Sequence, residues 1–326
     1  MLVFKEFTSN RRFGVEYEVT ALKYKKEELK NILVDFEIKN GSKRTVVAEM
    51  DEKGWAESIG NKYWHVKYDS TCGPLGKKAG KGLDPNYHGW EIASYIGSGD
   101  QDIIDISKAA SHLAAAGVEV SDNCGLHIHA DVSDFSPERM GVVLSRWMNL
   151  ETFVVQSCPE RRHNNKFCKS VRKRLKSFKK YKDGDSLWNA LKPTNFNTHE
   201  NPQKKFMLNP MGYALGQVNQ SYSRQTVELR LPECILDEEH VANWLRLYLN
   251  FLDYSASQPM ANLEQPCKTF EDAFRFLGLE NSAEFCILSK PMYDVKTWFL
   301  RRICQNSTDS KLVSLARKKL NFITRL

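Results

Sequence analysis

The chain has 326 residues, of which 41% are hydrophobic and 11% aromatic, so it is long enough to bury the core of one large domain or of two. No stretch approaches about 20 uncharged apolar residues, which argues against a membrane span, and we expect no secretion signal because the N-terminus lacks a basic region followed by an apolar run. The eight cysteines are scattered without a Cys-x-x-Cys pair. This usage favours reduced thiols in the cytoplasm over a disulfide framework or a structural zinc site.

The positive charge is concentrated in one place. The net charge is +7, yet the segment Arg161–Lys182 holds eleven Lys or Arg and no Asp or Glu. Without it the remainder has 36 basic and 40 acidic residues. The sequence therefore describes a mildly acidic body with one basic segment.

The first half of the chain contains four predicted strands and two predicted helices. After a strand at 12–20, we expect a charged helix at 25–36, strands at 43–50 and 62–68, a mobile Gly- and Pro-rich loop at 71–89, and a short strand at 89–94. Apolar residues at helical spacing predict a helix over 100–116, ended by Gly117.

The second half begins with a predicted strand at 125–132. Ser136 and Pro137 are typical of a helix start and predict a helix to about residue 155. The basic segment is predicted to be helical in part and is followed by a polar, Asn-rich loop at 183–205. Two strands are then predicted at 211–219 and 224–231, which could pair as a hairpin. A long helix capped by Asp237 and several short helices complete the chain. Strands without regular strand–helix alternation predict an α+β fold with a mainly antiparallel sheet, helices on its apolar face and ionisable side chains on the other.

Three of the predicted strands alternate apolar residues with carboxylates, imidazoles or guanidiniums. In the first, Glu16 and Glu18 share one face about 6.6 Å apart at the base, a spacing that suits hard cations such as magnesium. The alternative is an exposed strand with two solvated glutamates.

In the second strand, His127 and His129 have the same spacing. They could ligate a transition metal, with Asp131 on the same face as a third ligand. The alternative is a pair of partly buried histidines held by their neighbours. Cys124 lies just before them, and nothing in the sequence marks it as an activated nucleophile.

The third strand places Glu228 between Arg224 and Arg230. Arginine suits two-pronged binding of phosphate or carboxylate, whereas a cross-strand ladder of salt bridges is the structural alternative.

The basic segment Arg161–Lys182 admits three interpretations. It could be a solvated helix or a disordered lysine-rich loop, a nucleic-acid footprint, or a clamp on nucleotide phosphates. Phe167, Phe178 and Tyr181 are interleaved with the cations.

In this order, the motifs resemble the putative amidoligase family of the carboxylate–amine ligase superfamily, over about residues 11–255. The motifs are Phe13-Gly14-Val15-Glu16-Tyr17-Glu18, Trp64-His65-Val66-Lys67-Tyr68-Asp69-Ser70, Gly89-Trp90-Glu91-Ile92-Ala93-Ser94, Asn123-Cys124-Gly125-Leu126-His127-Ile128-His129 and Thr226-Val227-Glu228-Leu229-Arg230. The family has a proline-like turn after the third motif, where this chain has Tyr95-Ile96-Gly97. The resemblance implies a catalytic domain over residues 1–255, with a basic insertion at about 161–205, and it leaves 256–326 as a helical extension.

The resemblance also implies the catalytic sheet of glutamine synthetase and glutamate–cysteine ligase, and with it an ATP-dependent ligase that forms an amide or isopeptide bond through an acyl phosphate. The cofactors it implies are ATP and Mg²⁺, with Mn²⁺ as an alternative. The residue roles that follow are metal binding by Glu16, Glu18, Glu91, His127 and Glu228, contact with ATP by Asp69, His127, His129 and Arg230, and catalysis by Glu16, Glu18, Arg224 and Arg230.

The expected partners are a small-molecule or peptide carboxylate and an amine, with nucleic acid as a candidate partner of Arg161–Lys182 and no membrane. Two other functions stay open on the sequence. One is a metal-dependent hydrolase that uses His127, His129 and Asp131, and the other is a nucleic-acid-binding protein built around the basic segment.

Overall fold

The computed structural model describes residues 3–5, 7, 9–20, 24–42, 44–48, 63–69, 72, 89–163, 165–194, 205–219, 225–280 and 286–324. The chain divides into two compact units. The sheet unit comprises Arg12–His129 and Pro232–Ala242, and the helical unit comprises Met1–Arg11, Ala130–Leu231 and Asn243–Leu326. The division falls within one strand and within one helix.

The strands are β1 (Val3–Lys5), β2 (Phe13–Thr20), β3 (Thr45–Ala48), β4 (Tyr63–Asp69), β5 (Gly89–Ala93), β6 (Leu126–Asp131), β7 (Leu208–Asn209), β8 (Thr226–Leu229) and β9 (Cys286–Leu288). The helices are α1 (Lys26–Lys39), α2 (Gly99–Ala115), α3 (Pro137–Val154), α4 (Glu160–His163), α5 (Gly184–Leu191), α6 (Met211–Val218), α7 (Glu238–Ala256), α8 (Phe270–Phe276), α9 (Lys290–Asn306) and α10 (Ser310–Ile323). Short 3₁₀ turns lie at Val155–Ser157 and Arg172–Arg174.

The sheet unit is built on strands in the spatial order β3-β4-β5-β2-β6, where β6 contributes its residues up to His129. The pairs β2–β5 and β4–β5 are antiparallel, and β3–β4 is parallel. In the helical unit, β7 pairs antiparallel with β8. The predicted α+β class with a mainly antiparallel sheet is confirmed.

Helices cover the apolar face of the sheet unit, as the strand alternation predicts. The apolar residues of β2 are all buried. The hydroxyl of Tyr17 donates a 2.8 Å hydrogen bond to the carbonyl of Ile106 in α2. On β4, the indole of Trp64 donates a 2.7 Å hydrogen bond to Glu37 of α1 and packs edge-on against Phe36. These contacts fix which face of each strand carries the ionisable side chains.

The helical unit packs around α3 and α7. Trp147 and Phe251 meet edge-on with ring centroids 5.6 Å apart, and Trp244 meets Trp298 of α9 at 5.3 Å. Helix α5 crosses α3 at very short range, because a Cβ atom on Gly141 would lie 1.8 Å from the carbonyl oxygen of Gly184. Any larger residue at this crossing would force the two helices apart.

The hairpin predicted from strands at 211–219 and 224–231 is wrong. Residues 211–218 form α6, and β8 pairs with β7, which precedes that helix. Gly212 and Gly216, one helical turn apart, face β8 and the residue before it, and a Cβ on Gly212 would lie 2.7 Å from the Thr226 hydroxyl. The two glycines suit a helix that lies directly against its strand, which a strand pattern does not distinguish.

The predicted polar loop at 183–205 contains a helix that the sequence analysis did not foresee. Asp183 caps α5 by accepting a 2.8 Å hydrogen bond from the Ser186 amide, and Leu187, Trp188 and Leu191 are buried. Residues 195–204 lie outside the described residues.

The other predicted elements agree with the structure within a few residues. Ser136 caps α3, and Asp237 accepts a 2.8 Å hydrogen bond from the His240 amide at the start of α7. The C-terminal extension is helical, with one unforeseen short strand, β9, which pairs in parallel with β1. The predicted mobile loop at 71–89 lies outside the described residues except for its positions 72 and 89. Within the described part of the chain, no helix combines the length and apolarity needed to cross a membrane.

A carboxylate and histidine cluster on the sheet unit

Strand register brings three ionisable residues into one row across the sheet unit. Glu18 of β2 stands opposite Glu91 of β5, and Glu91 stands opposite Lys67 of β4. Side chains directly opposite on neighbouring antiparallel strands lie about 5 Å apart at their Cβ atoms. The row therefore places two carboxylates and one ammonium side by side on the face away from α1 and α2.

Glu16 sits two residues along β2 from Glu18 and receives three cationic or imidazole contacts. Its carboxylate lies 3.6 Å from the ammonium of Lys67, 3.4 Å from Nδ1 of His127 and 3.3 Å from Nε2 of His129. Both histidines come from β6, so the two predicted strand motifs meet on one face.

Glu18 is buried and is held from two sides. One carboxylate oxygen accepts a 2.5 Å hydrogen bond from the Gly125 amide, and the other lies 3.4 Å from Nε2 of His127. His127 thus spans the two glutamates, with one ring nitrogen toward each. This imidazole therefore lies between the two carboxylates.

Burial makes the protonation of the cluster uneven. Burial by itself raises the pKa of Glu16, but the charges of Lys67 and His129 and hydrogen bonds from both histidines outweigh it and hold the pKa well below its ordinary value. The pKa of Glu91 is raised well above its ordinary value, because burial and the neighbouring charge of Glu16 outweigh its contact with Lys67. The pKa of Lys67 is raised despite burial, because Glu16 and Glu91 favour its charged form. One ammonium therefore does not neutralise the buried carboxylates.

Glu18 also belongs to a second group of potential ligand atoms. Glu18, Asp69 and Cys72 offer oxygen and sulfur atoms that all lie within 4.8 Å of one another. The thiol of Cys124 donates a 3.8 Å hydrogen bond to the backbone carbonyl of Cys72, and the interaction between the two cysteines raises the pKa of Cys72 and lowers that of Cys124. Cys124 is buried and also accepts a 3.3 Å hydrogen bond from the Ser121 amide.

The donor set of the cluster suits a hard divalent cation. Glu16, Glu18 and Glu91 present carboxylate oxygens on neighbouring strands, and oxygen donors are what Mg²⁺ and Mn²⁺ prefer. A buried excess of negative charge is costly unless a cation balances it. The residues present therefore fit the implied metal.

The alternative metal site of His127, His129 and Asp131 gains less support. The sheet unit contains both histidines, and within its described residues no group of three close ligand atoms includes both of them. Asp131 belongs to the helical unit, where its carboxylate accepts a 2.9 Å hydrogen bond from the Ser133 amide and its carbonyl accepts one from Arg11.

Glu228 and Arg230 lie at β8 in the helical unit. Arg230 makes an ion pair with Glu228 and donates a 3.3 Å hydrogen bond to the carbonyl of Phe167. Asn209 of β7 donates a 2.6 Å hydrogen bond to the other oxygen of Glu228. The sequence analysis named Arg224 as a third member of this group, and Arg224 lies outside the described residues.

Sequence reasoning overlooked two members of the cluster. Lys67 was quoted within a motif without a role, although it alternates with His65 and Asp69 on the polar face of β4. That i, i+2 pattern was a usable signal. The sequence around Cys72 contains no comparable signal, because this residue stands alone in a Gly- and Pro-rich stretch.

Comparison with known proteins agrees with this arrangement of motifs. A family model described as a putative amidoligase enzyme matches residues 9–252, which is more than half of the chain. No curated protein matches the chain. The matched residues include all of β2, β4, β5, β6 and β8, which carry the ionisable motifs. The protein is thus a member of the putative amidoligase enzyme family.

Proposed function

We propose that the protein is an ATP-dependent carboxylate–amine ligase, which forms an amide or isopeptide bond through an acyl-phosphate intermediate. We further propose that its sheet is related to the catalytic sheet of glutamine synthetase. Membership of the amidoligase family supports the reaction class. The proposed cofactors are ATP and Mg²⁺, with Mn²⁺ as an alternative.

One observation carries the proposal. Three glutamates from two adjacent strands are gathered on one face of a sheet, and Lys67 is the lysine that contacts two of them. With Lys67 as their ammonium partner, these carboxylates leave room for a further cation. A divalent cation bound to a nucleotide would supply positive charge to these carboxylates and would bring the phosphates of the nucleotide to them.

The chemistry requires activation of a carboxylate. A carboxylate is a poor electrophile, so it attacks the γ-phosphorus of ATP through an oxygen, ADP leaves, and an acyl phosphate forms. The amine then attacks the acyl carbon, phosphate leaves with the C–O bond electrons, and the amine loses a proton. When bound, ATP supplies the phosphoryl group and the metal supplies positive charge at the phosphates.

The residues of this chain prepare the site for that reaction. We propose that Glu16, Glu18 and Glu91 hold the cation and that His127 keeps Glu16 and Glu18 at a fixed separation. We assign Asp69 and His129 to contact with ATP. Glu228 is proposed as a further metal ligand, positioned by Arg230 and Asn209. Arg224 and Arg230 are proposed to stabilise negative charge on the transferring group.

The test is a turnover assay with ATP, Mg²⁺ and a panel of carboxylates and amines. We expect ADP, phosphate and amide in equal amounts, with no requirement for zinc. The double variant Glu16→Gln and Glu18→Gln should lose activity by about 100-fold or more, because it removes two of the proposed ligands while keeping side-chain volume.

A matched control removes two exposed glutamates from helices, Glu27→Gln and Glu138→Gln, and should keep full activity. Circular dichroism and thermal unfolding would verify that both double variants fold. Full ligase or ATPase activity in the Glu16 and Glu18 variant would show that the metal assignment is wrong. Activity that needs no nucleotide and disappears on zinc chelation would instead identify a hydrolase that uses the histidines.

A further inference from the structure

The basic segment Arg161–Lys182 separates into buried anchors and exposed cations. Arg162 is 3% exposed, and Arg172 is half-buried. The other nine basic residues are exposed, and we call them the basic surface: Arg161, Lys166, Lys169, Lys173, Arg174, Lys176, Lys179, Lys180 and Lys182. The surface belongs to the helical unit.

The two anchor arginines bind the segment to the backbone of its own unit. Arg162 donates hydrogen bonds of 3.1 Å to the carbonyl of Leu231 and 2.5 Å to that of Arg230. Arg172 donates to the carbonyl of Leu263 at 2.8 Å and to the side chain of Asn149 at 3.2 Å. Both guanidiniums therefore make hydrogen bonds to groups of the helical unit itself.

Further contacts hold the middle of the segment in place. Buried Glu151 of α3 accepts a 2.9 Å hydrogen bond from the Val171 amide. The backbone of Lys169 makes a bridge with Phe206, in which its amide donates to the Lys205 carbonyl at 2.6 Å and its carbonyl accepts from the Met207 amide at 2.8 Å. The segment is therefore an anchored, irregular scaffold, rather than the solvated helix or disordered lysine-rich loop considered on the sequence.

Five of the nine exposed cations have no ion-pair partner among the described residues. In the portion of the chain that the structure describes, the side chains of Lys169, Lys173, Arg174, Lys176 and Lys179 make no ion pair, whereas Lys residues elsewhere, as in α1 and α9, do pair with carboxylates. Like charges at this density repel one another. An external anion would relieve that repulsion.

Aromatic rings are interleaved with the cations. Phe167, Phe178 and Tyr181 are half-buried. Two cations of the basic surface lie over rings, Lys166 at 4.7 Å from the centroid of Phe167 and Lys180 at 5.1 Å from that of Tyr181, while the anchor Arg172 lies 4.3 Å from that of Phe178. Cations beside partly exposed rings are the combination that binds phosphates and stacks on bases.

Positive charge continues onto α9 beside the start of the segment. Asn306 of α9 donates a 2.8 Å hydrogen bond to the carbonyl of Ser157, and Ser307 donates a 2.7 Å hydrogen bond to Gln156. Burial lowers the pKa of Arg302 of α9, and the nearby positive charge of Arg161 lowers it further. The positive field thus extends beyond the segment itself.

We propose that the basic surface binds nucleic acid. A long polyanion matches nine exposed cations spread over an anchored scaffold, whereas a nucleotide would neutralise only a few. The large apolar side chains that are exposed among the described residues lie outside the segment, so it lacks the apolar anchors with which a helix inserts into a lipid surface. The proposal does not rest on the ligase activity.

The test measures the affinity of the full chain for a 20-nucleotide single strand and a 20-base-pair duplex at two salt concentrations. The variant changes Lys173, Arg174, Lys176, Lys179 and Lys180 to Gln. We expect at least tenfold weaker binding at low salt and a shallower salt dependence, because each lost phosphate contact removes about 0.9 from the slope for duplex DNA.

The matched control changes five exposed lysines elsewhere to Gln: Lys25, Lys39, Lys108, Lys268 and Lys290. It removes the same charge and should lose little affinity. Equal losses in the two variants would show a non-specific charge effect and overturn the proposal, as would no binding at low salt. Tighter binding to anionic phospholipid vesicles than to DNA would overturn it in favour of a membrane surface.

Ligase activity distinguishes this proposal from the previous one. The basic-surface variant should keep full turnover on small substrates, and the Glu16 and Glu18 variant should keep full DNA binding. Each proposal can therefore fail while the other stands.

Discussion

The carboxylate and histidine cluster of the sheet unit and the basic surface of the helical unit both concentrate charge, but they do so in opposite environments. Glu18, Glu91 and His127 are each less than 10% exposed, whereas the nine cations of the basic surface are open to solvent. The cluster is organised by strand register, and the basic surface by a few buried anchors beneath it.

The difference indicates which partner each region can accept. Charges in a buried site interact strongly and are little affected by salt, so a compact cation or a phosphate group is the suitable partner. Exposed charges are individually weak and screened, so they act together on an extended polyanion. Three experiments test this contrast between the cluster and the basic surface.

The largest effect on stability is expected at Lys67. Lys67→Met removes the ammonium that contacts Glu16 and Glu91 and leaves buried carboxylates without a cation. Breaking such a buried pair costs about 3 to 5 kcal/mol. Urea unfolding without divalent ions would measure the loss.

Lys108→Met on α2 is the matched control, since Lys108 is exposed, and it should change the free energy of unfolding by less than about 0.5 kcal/mol. If Lys67→Met cost no more than this control, the cluster would be solvated, and the contrast between the two regions would be lost.

A smaller effect on the free energy of unfolding is expected from His240, a buried imidazole whose neutral form is favoured in the sheet unit. Burial lowers the pKa of His240 to about 4, against an opposing effect of Asp237. The unfolded chain binds a proton near pH 6.5, so the stabilisation is complete above that pH and is lost as the pH falls from about 6.5 to about 4. The expected loss is about 3 kcal/mol between pH 7 and pH 4.

Unfolding free energies at several pH values would isolate this contribution by comparing the wild type with His240→Gln. The variant should be less sensitive to pH in that window. Identical pH profiles would show that His240 titrates in the folded protein as it does in the unfolded chain.

The smallest effect is expected within the basic segment, where anchor and surface arginines can be compared directly. Arg162→Gln removes hydrogen bonds to two backbone carbonyls in a buried site and should destabilise the fold by about 2 kcal/mol. Arg174→Gln removes an exposed cation and should cost less than about 0.5 kcal/mol. Chemical denaturation of both variants measures the difference, and equal costs would contradict the division into anchors and surface.

Strand alternation was sufficient to predict the ionisable face of the sheet unit. The apolar and polar residues of β2 and β6 alternate with a period of two, and this period places Glu16, Glu18, His127 and His129 on defined faces before any contact is known. Helix caps at Ser136 and Asp237 were equally local, because a side chain that caps a helix bonds to an amide within three residues.

The same local reasoning failed where long-range packing decides the conformation. Residues 211–218 are mainly apolar with two glycines, a pattern that suits a strand or a helix, and the close packing of Gly212 and Gly216 against Thr226 and Gln225 is visible only in the tertiary structure. Likewise, α5 depends on the contact between Gly184 and α3, which the sequence does not reveal.

The ordered motifs, the family they belong to and the charge of the basic segment could be read from the sequence, because each is a property of residue identity and spacing. The folded structure was needed to show that Lys67 joins Glu16 and Glu91 and that His127 lies between Glu16 and Glu18. It was also needed to show that Arg162 and Arg172 are anchors while their neighbours are exposed. Strand register and burial set the distances and the dielectric environment between residues far apart in the chain, and these quantities determine whether a charge is paired, shifted in pKa or left for a partner.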